Sequence, residues 1–133
     1  EQTAQIFEAT DPEYVSFCLD TGHVVYGGGD PLQMIDEYPE RIGYVHIKAF
    51  DPDITREAHE NDWPFGEAVA KGASVCPPKG LPDMRDLVQK LTTLDRELYV
   101  ICEQDLYPCD PGLPLPNAIA TREFLAECGL GIK

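Results

Sequence analysis

Apolar and polar positions alternate along this chain in blocks that read as helix and strand in turn. Across residues 1–10 (EQTAQIFEAT), Ala4, Ile6 and Phe7 share one helical face, and Asp11-Pro12 stops the segment. These first residues offer no start methionine and no strand. They read as the tail of a helix already under way, so the chain is expected to be part of a longer one. Residues 14–20 (YVSFCLD) are apolar almost throughout, the pattern of a strand covered on both faces as in a parallel sheet. Thr21-Gly22-His23 and Gly27-Gly28-Gly29 break it. Asp30 as N-cap and Pro31 at the first helical position then open a helix, with Leu32, Met34 and Ile35 as its apolar face up to Tyr38.

A second strand is expected over residues 43–48 (GYVHIK). Residues 50–80 form a long polar stretch with prolines and glycines, and contain Trp63, Phe65 and a short helix at 66–70. A connection of this length in a compact domain is functional, such as a lid, or disordered. Its two aromatic residues are read as packed anchors, with a pocket wall as the alternative. Asp83 opens a further helix, with Leu87, Val88, Leu91 and Leu94 at helical spacing, and residues 98–103 (LYVICE) give a third strand. A proline-rich loop at 107–116 leads to a last helix over 117–127, with Gly129 as its C′ stop. Strands alternating with helices predict an α/β fold with parallel strands. A doubly wound sheet would carry a glycine-rich phosphate loop after its first strand; Gly27-Gly28-Gly29 comes late and lacks that spacing.

Length narrows the choice. The 133 residues suit one domain, residues 1–133, but fall well short of the roughly 250 of a closed (β/α)8 barrel. Charge excludes partners: 24 Asp and Glu stand against 10 Lys and Arg, a net charge of −14. Nucleic acid and anionic membrane surfaces need clustered basic residues, and there is no such cluster here. No apolar run approaches the ~18 residues that span a bilayer. The five cysteines are odd in number and form no CxxC pair. Cys18 and Cys102 lie in apolar runs, where a free thiol packs as a small hydrophobe. A reducing, cytoplasmic setting is expected.

Three ionisable residues fall at corresponding places. Asp20 ends the first strand, His46 lies near the end of the second and Glu103 ends the third. In a parallel barrel the strand C-termini converge on one rim, where active sites are built. The two-residue period of a strand puts His46 and Lys48 on one side and Val45 and Ile47 on the other. Each residue has a plainer reading alone: Asp20 as a turn former, His46 as a satisfied core histidine, Glu103 as a solvated loop edge beside Gln104 and Asp105. Together, two carboxylates and an imidazole make a candidate divalent-metal site, suited to Mn2+, Mg2+, Co2+ or Zn2+.

The segments LDTGH (19–23), YVHIK (44–48) and EQDLYP (103–108), in that order, resemble the sugar phosphate isomerase/epimerase superfamily, the xylose isomerase-like barrels. The stretch 65–83, EQDLYP, and the later LPLP and TREFL are most similar to inosose dehydratases. The resemblance covers nearly the whole chain and matches that family's C-terminal half. It implies half of a (β/α)8 TIM barrel and one divalent metal held by Glu, Asp, His and Glu. Asp20, His46 and Glu103 match the last three ligands, and the first would lie upstream of residue 1. His23 matches a position that meets substrate in relatives; Lys48 matches the lysine of the family's usual element and is, with His23, a candidate to bind substrate. Lys48 has the plainer reading of a surface cation over the sheet edge, and Ala49 follows it where the family's usual element has Asp.

The resemblance further implies a small sugar or cyclitol substrate. For a dehydratase, a keto-inositol loses water to give a cyclic dione through a metal-stabilised enediolate. Glu103, or the upstream Glu, would serve as base, and His23 or Lys48 would assist the departing hydroxyl. Gln104 and Tyr107 follow Glu103 and are candidates to line the substrate pocket; for Tyr107, packing against Pro108 is an equal alternative. An isomerase or epimerase would form the same intermediate and return the proton elsewhere. A third reading is an inactive fragment. Half a barrel leaves two sheet edges and an apolar interior open, which two copies can cover by associating as a homo-oligomer.

Overall fold

A computed structural model describes residues 2–131. Helix α1 (Gln2–Ala9) leads to strand β1 (Phe17–Asp20), which passes directly into helix α2 (Thr21–Tyr26). Helix α3 (Pro31–Glu37) and a 3-10 turn (Pro39–Arg41) precede strand β2 (Ile42–Ile47). The segment that reads as a long loop with a short helix at 66–70 contains strand β3 (Ala49–Phe50), helix α4 (Pro52–Glu60), the expected short helix as α5 (Phe65–Ala70), and strand β4 (Ser74–Val75). Helix α6 (Met84–Thr92), strand β5 (Tyr99–Cys102) and helix α7 (Pro114–Glu127) complete the order.

Strands β1, β2 and β5 form a parallel sheet in that spatial order, and β3 pairs with β4 antiparallel. The alternation is α/β with parallel strands, as expected, and forms part of a (β/α) barrel. Aspartates do most of the punctuation. Asp30, Asp51 and Asp83 each accept two backbone N–H groups at the starts of α3, α4 and α6, satisfying donors that a helix N-terminus leaves orphaned. Proline follows at the first helical position in α3 and α4, where its missing N–H costs nothing.

One face of the sheet is sealed. Leu19, Val45 and Ile47 lie beneath Ile35 of α3, Met84, Leu87 and Val88 of α6, and Leu125 of α7, all fully or nearly fully buried. The other face is open. Cys18, Tyr44 and Tyr99 sit in register across the three strands, and Tyr99 is 76% exposed. Three particulars therefore differ from the sequence reading. Strand β1 is covered on one face only. Cys18 points to the uncovered face and Cys102 lies on the edge strand, so both thiols are exposed rather than packed. In α1, Phe7 is buried while Ile6 is 55% exposed, because the helix touches the body along a narrow strip. Arg41 fixes that strip, donating to the carbonyls of Val15, Phe7 and Thr10.

A second cluster lies beneath α4 and α5: Phe50, Ala58, Ala68 and Ala73, with Tyr26, Trp63 and Phe65 packed on it. Trp63 and Phe65 are thus anchors of a folded αα unit. Replacing Leu87 by Ala in the main core should lower the unfolding free energy by about 2–5 kcal/mol. Tyr99→Ala on the open face should change it by no more than about 0.5 kcal/mol; urea denaturation of the two variants checks the difference.

Candidate metal centre

The register of the sheet decides what meets at its rim. Asp20 pairs with His46 across β1 and β2. Beyond β5, the Glu103 N–H donates to the Ile47 carbonyl at 2.9 Å, carrying the ladder one step further and setting Glu103 beside Lys48. His46 Nδ1 stands 3.1 Å from Glu103 Oε2 and 3.7 Å from Asp20 Oδ2. Asp20 divides its oxygens: Oδ1 accepts the His23 N–H at 2.9 Å and so caps α2, while Oδ2 faces the cluster. The turn-former reading and the ligand reading of this residue are therefore compatible.

Lys48 is the residue around which the cluster closes. It is only 4% exposed, so it is not a surface cation. Its ammonium lies 3.1 Å from Glu103 Oε2, 3.1 Å from Asp105 Oδ2 and 3.4 Å from Asp20 Oδ2, and it donates to His23 Nε2 at 3.2 Å. An ammonium has no lone pair, so His23 must accept at Nε2. Burial works against the charged lysine. The hydrogen bonds to Asp105 and Glu103 and the charge of Asp20 outweigh it, and the Lys48 pKa is raised above its ordinary value.

Neighbours outside the predicted set hold this lysine in place. The buried Thr21 hydroxyl donates to the Lys48 carbonyl at 2.9 Å and accepts the Lys48 N–H at 3.0 Å. Gly22 lets the lysine stem pass: a Cβ there would come within 2.7 Å of Lys48 Cβ and Cγ and 2.8 Å of Phe50. The Asp105 N–H donates to Ser74 Oγ of β4 at 3.1 Å. Asp105 was legible as Glu103 plus two, since residues two apart along an extended segment share a side.

Of the residues predicted from sequence, Asp20, His23, His46, Lys48 and Glu103 are brought together. Gln104 and Tyr107 are not. Gln104 Oε1 turns the opposite way, accepting from Cys76 Sγ at 2.8 Å and Asn117 Nδ2 at 3.4 Å. Tyr107 is 86% exposed. His23 keeps one side open, 48% exposed, with its ring against Phe65 and Phe50 at centroid distances of 5.2 and 6.1 Å.

Asp20, His46 and Glu103 each offer one ligand atom, and all three lie within 4.8 Å of one another. Donors bound at roughly 2.0–2.2 Å to one cation are separated by roughly 3–4.4 Å. The triad thus fits a divalent ion with small side-chain adjustments, and its two carboxylates and one imidazole suit Mn2+, Co2+, Mg2+ or Zn2+.

A parallel sheet whose strand ends carry a convergent set of carboxylates, imidazoles and a buried lysine defines a partial barrel of the (β/α) class with a candidate metal-binding rim. The sequence agrees. Residues 1–128 match the family described as xylose isomerase-like TIM barrel, and the chain belongs to it. It is similar to an inosose dehydratase of Geobacillus kaustophilus (strain HTA426), 33% identical over 127 residues, covering 94% of this chain and 40% of that protein. It is also similar to an inosose dehydratase of Clostridium tetani (strain Massachusetts / E88), 31% identical over 127 residues, covering 96% and 42%. The chain thus spans about 40% of the length of the curated relatives it matches. A crystal structure of a sugar phosphate isomerase/epimerase from Parabacteroides distasonis ATCC 8503 shares the fold, with a TM-score of 0.64 at 19% identity over 91% of this chain and 34% of that one. Among the described residues no helix is long and apolar enough to cross a membrane.

Gly22 and Gly66 make a controlled pair, both in helices with negative φ. Gly22→Ala should cost about 1–3 kcal/mol by overpacking against Lys48 and Phe50. Gly66→Ala meets nothing within 4 Å and should stabilise by about 0.5–1 kcal/mol through helix propensity. Thermal denaturation of the two variants reads both signs.

Proposed function

We propose that the protein carrying this chain is a metal-dependent inosose dehydratase, which removes water from a keto-inositol to give a cyclic dione. One observation carries the reading: the Asp20–His46–Glu103 triad stands against a buried, charged lysine that is hydrogen-bonded to a half-exposed histidine. Loss of water from a carbon next to a C–H beside a ketone needs a Lewis acid at the carbonyl, a base at the carbon and an acid at the departing hydroxyl. The relatives named as inosose dehydratases support the choice of substrate class.

Asp20, His46 and Glu103 would hold the metal, with a further Glu upstream of residue 1 as the fourth ligand that the family resemblance implies. The ion would polarise the ketone oxygen as a Lewis acid and so acidify the adjacent C–H. Mn2+ is the first choice among the ions this donor set suits. Glu103 is 40% exposed and is the carboxylate of this chain best placed to take the carbon-bound proton; the upstream Glu is the alternative. The Lys48 ammonium is held against Asp105 Oδ2 and Glu103 Oε2. His23 Nε2 accepts from that ammonium and stands at the open side, so the pair can deliver a proton to the leaving hydroxyl. An isomerase or epimerase uses the same first step but has no leaving hydroxyl to protonate. The Lys48–His23 pair serves either reaction; the EQDLYP and LPLP segments and the relatives named as inosose dehydratases are what favour the dehydratase.

The test uses the full-length protein with Mn2+ and a keto-inositol, followed by ultraviolet absorbance of the dione. The wild type should form product, and Asp20→Asn, His46→Ala and Glu103→Gln should each lower Mn2+ affinity about tenfold or more and reduce turnover with it. Absence of dione together with epimer formation or proton exchange on a ketose would replace the dehydratase by an isomerase or epimerase. Inactivity on both would leave a non-catalytic protein.

A further inference from the structure

The ammonium of Lys48 and the candidate metal position draw on the same atoms. Asp20 Oδ2 and Glu103 Oε2, which face His46 Nδ1 at 3.7 and 3.1 Å, also face Lys48 Nζ, at 3.4 and 3.1 Å. Two cations that share a pair of oxygens repel each other, the more strongly in a partly buried setting. The lysine cannot leave as a whole. Thr21 grips its backbone from both sides, and its Cβ and Cγ pass so close to Gly22 that no Cβ fits between them. Only the outer part of the side chain is free to turn.

Asp105 offers the place to turn to. Its Oδ2 is buried and, among the described residues, meets no hydrogen-bonding partner apart from the Lys48 ammonium at 3.1 Å. Its backbone is pinned to Ser74 of β4, on a different strand pair from the three metal-ligand candidates. His23 Nε2, at 3.2 Å, is a second acceptor on the same side. The Asp105 side chain is 35% exposed, but its Oδ2 is enclosed and faces the ammonium; leaving that oxygen without a partner is unfavourable, so Asp105 attracts the ammonium independently of Asp20 and Glu103.

We propose that Lys48 is a built-in competitor for the metal's oxygens, and that Asp105 is the positioning residue that takes its ammonium over when a divalent cation binds. Without metal, Lys48 neutralises Asp20 and Glu103 and holds them together. With metal, it stays beside the centre, tied to Asp105 and His23. The inference rests on the metal reading of the Asp20–His46–Glu103 triad and adds the exchange between two cations.

A double-mutant cycle read by Mn2+ titration of the full-length protein separates this exchange from plain charge effects. Calorimetry measures affinity, electron paramagnetic resonance of free Mn2+ gives a second readout, and far-ultraviolet circular dichroism checks folding. Lys48→Met should bind Mn2+ at least about tenfold more tightly than wild type. Asp105→Asn should bind about tenfold less tightly, because the ammonium then stays on Asp20 and Glu103. In the Lys48→Met background, Asp105→Asn should change affinity by less than about threefold. Lys48→Gln replaces Lys48→Met if the latter loses the wild-type dichroism spectrum. An unchanged or weaker affinity in both lysine variants overturns the proposal. So does an Asp105→Asn effect of equal size in both backgrounds, which would mean that Asp105 acts on the metal by charge alone. If the wild type binds no Mn2+ at all, the metal reading falls first and the exchange falls with it.

Discussion

Parallel pairing of β1, β2 and β5, in constant register from Cys18 to the rim, is the constraint on which the rest of the molecule depends. Asp20 and His46 are paired residues of neighbouring strands, and Glu103 is held one step past β5 by its hydrogen bond to the Ile47 carbonyl. A slip of one residue in either pairing would turn a whole strand over. It would send the carboxylates and the imidazole into the helix-covered core and bring Leu19 or Val45 to the rim. The fully buried Leu19, Val45 and Ile47 therefore guard the candidate metal centre by fixing which face each strand presents.

Electrostatics follow from that convergence. Bringing Asp20, Glu103 and Asp105 to one place concentrates negative charge that the chain, at −14 overall, cannot offset from a distance. Lys48 supplies the compensation locally, from within two residues of His46 on the same strand end, and its burial raises the strength of each pairing. Thr21 and Gly22, the first two residues of α2, both serve this lysine: one fastens its backbone and the other makes room for its stem. Fold and candidate chemistry therefore meet in a handful of adjacent residues at the β1–α2 junction and the end of β2.

Much of the fold was legible because its signals are local. The Asp30-Pro31 and Asp83 caps, the apolar runs of β1, β2 and β5 and the spacing of α6 all follow from the sequence, and the order of these elements gave the α/β class. The rest fails for identifiable reasons. Helix α2 was hidden because glycine is a poor helix former, and Gly22 is there for a contact with residues 26 or more positions away. The segment 50–80 read as a loop because β3 and β4 are two residues each, too short to show alternation. Yet Asp51-Pro52 repeats the Asp30-Pro31 signature that marks α3, and α4 could have been read from it. Within the candidate site, strand ends pointed to Asp20, His46 and Glu103, and the period of two to Lys48. The same period carried past Glu103 points to Asp105 and turns Gln104 away, a step that the end of the apolar run concealed. Cys18 and Tyr99 are exposed because part of a barrel leaves its inner face uncovered, which local pattern alone does not reveal.

The central claim is that one cation is gripped jointly by Asp20, His46 and Glu103. Anomalous diffraction at the manganese edge, from crystals of the full-length protein grown with Mn2+, addresses it directly. The account predicts a single strong peak roughly 2.0–2.3 Å from a carboxylate oxygen of Asp20, a ring nitrogen of His46 and a carboxylate oxygen of Glu103. A peak elsewhere, or well-ordered density for these three side chains around the Lys48 ammonium with no manganese signal, would contradict it.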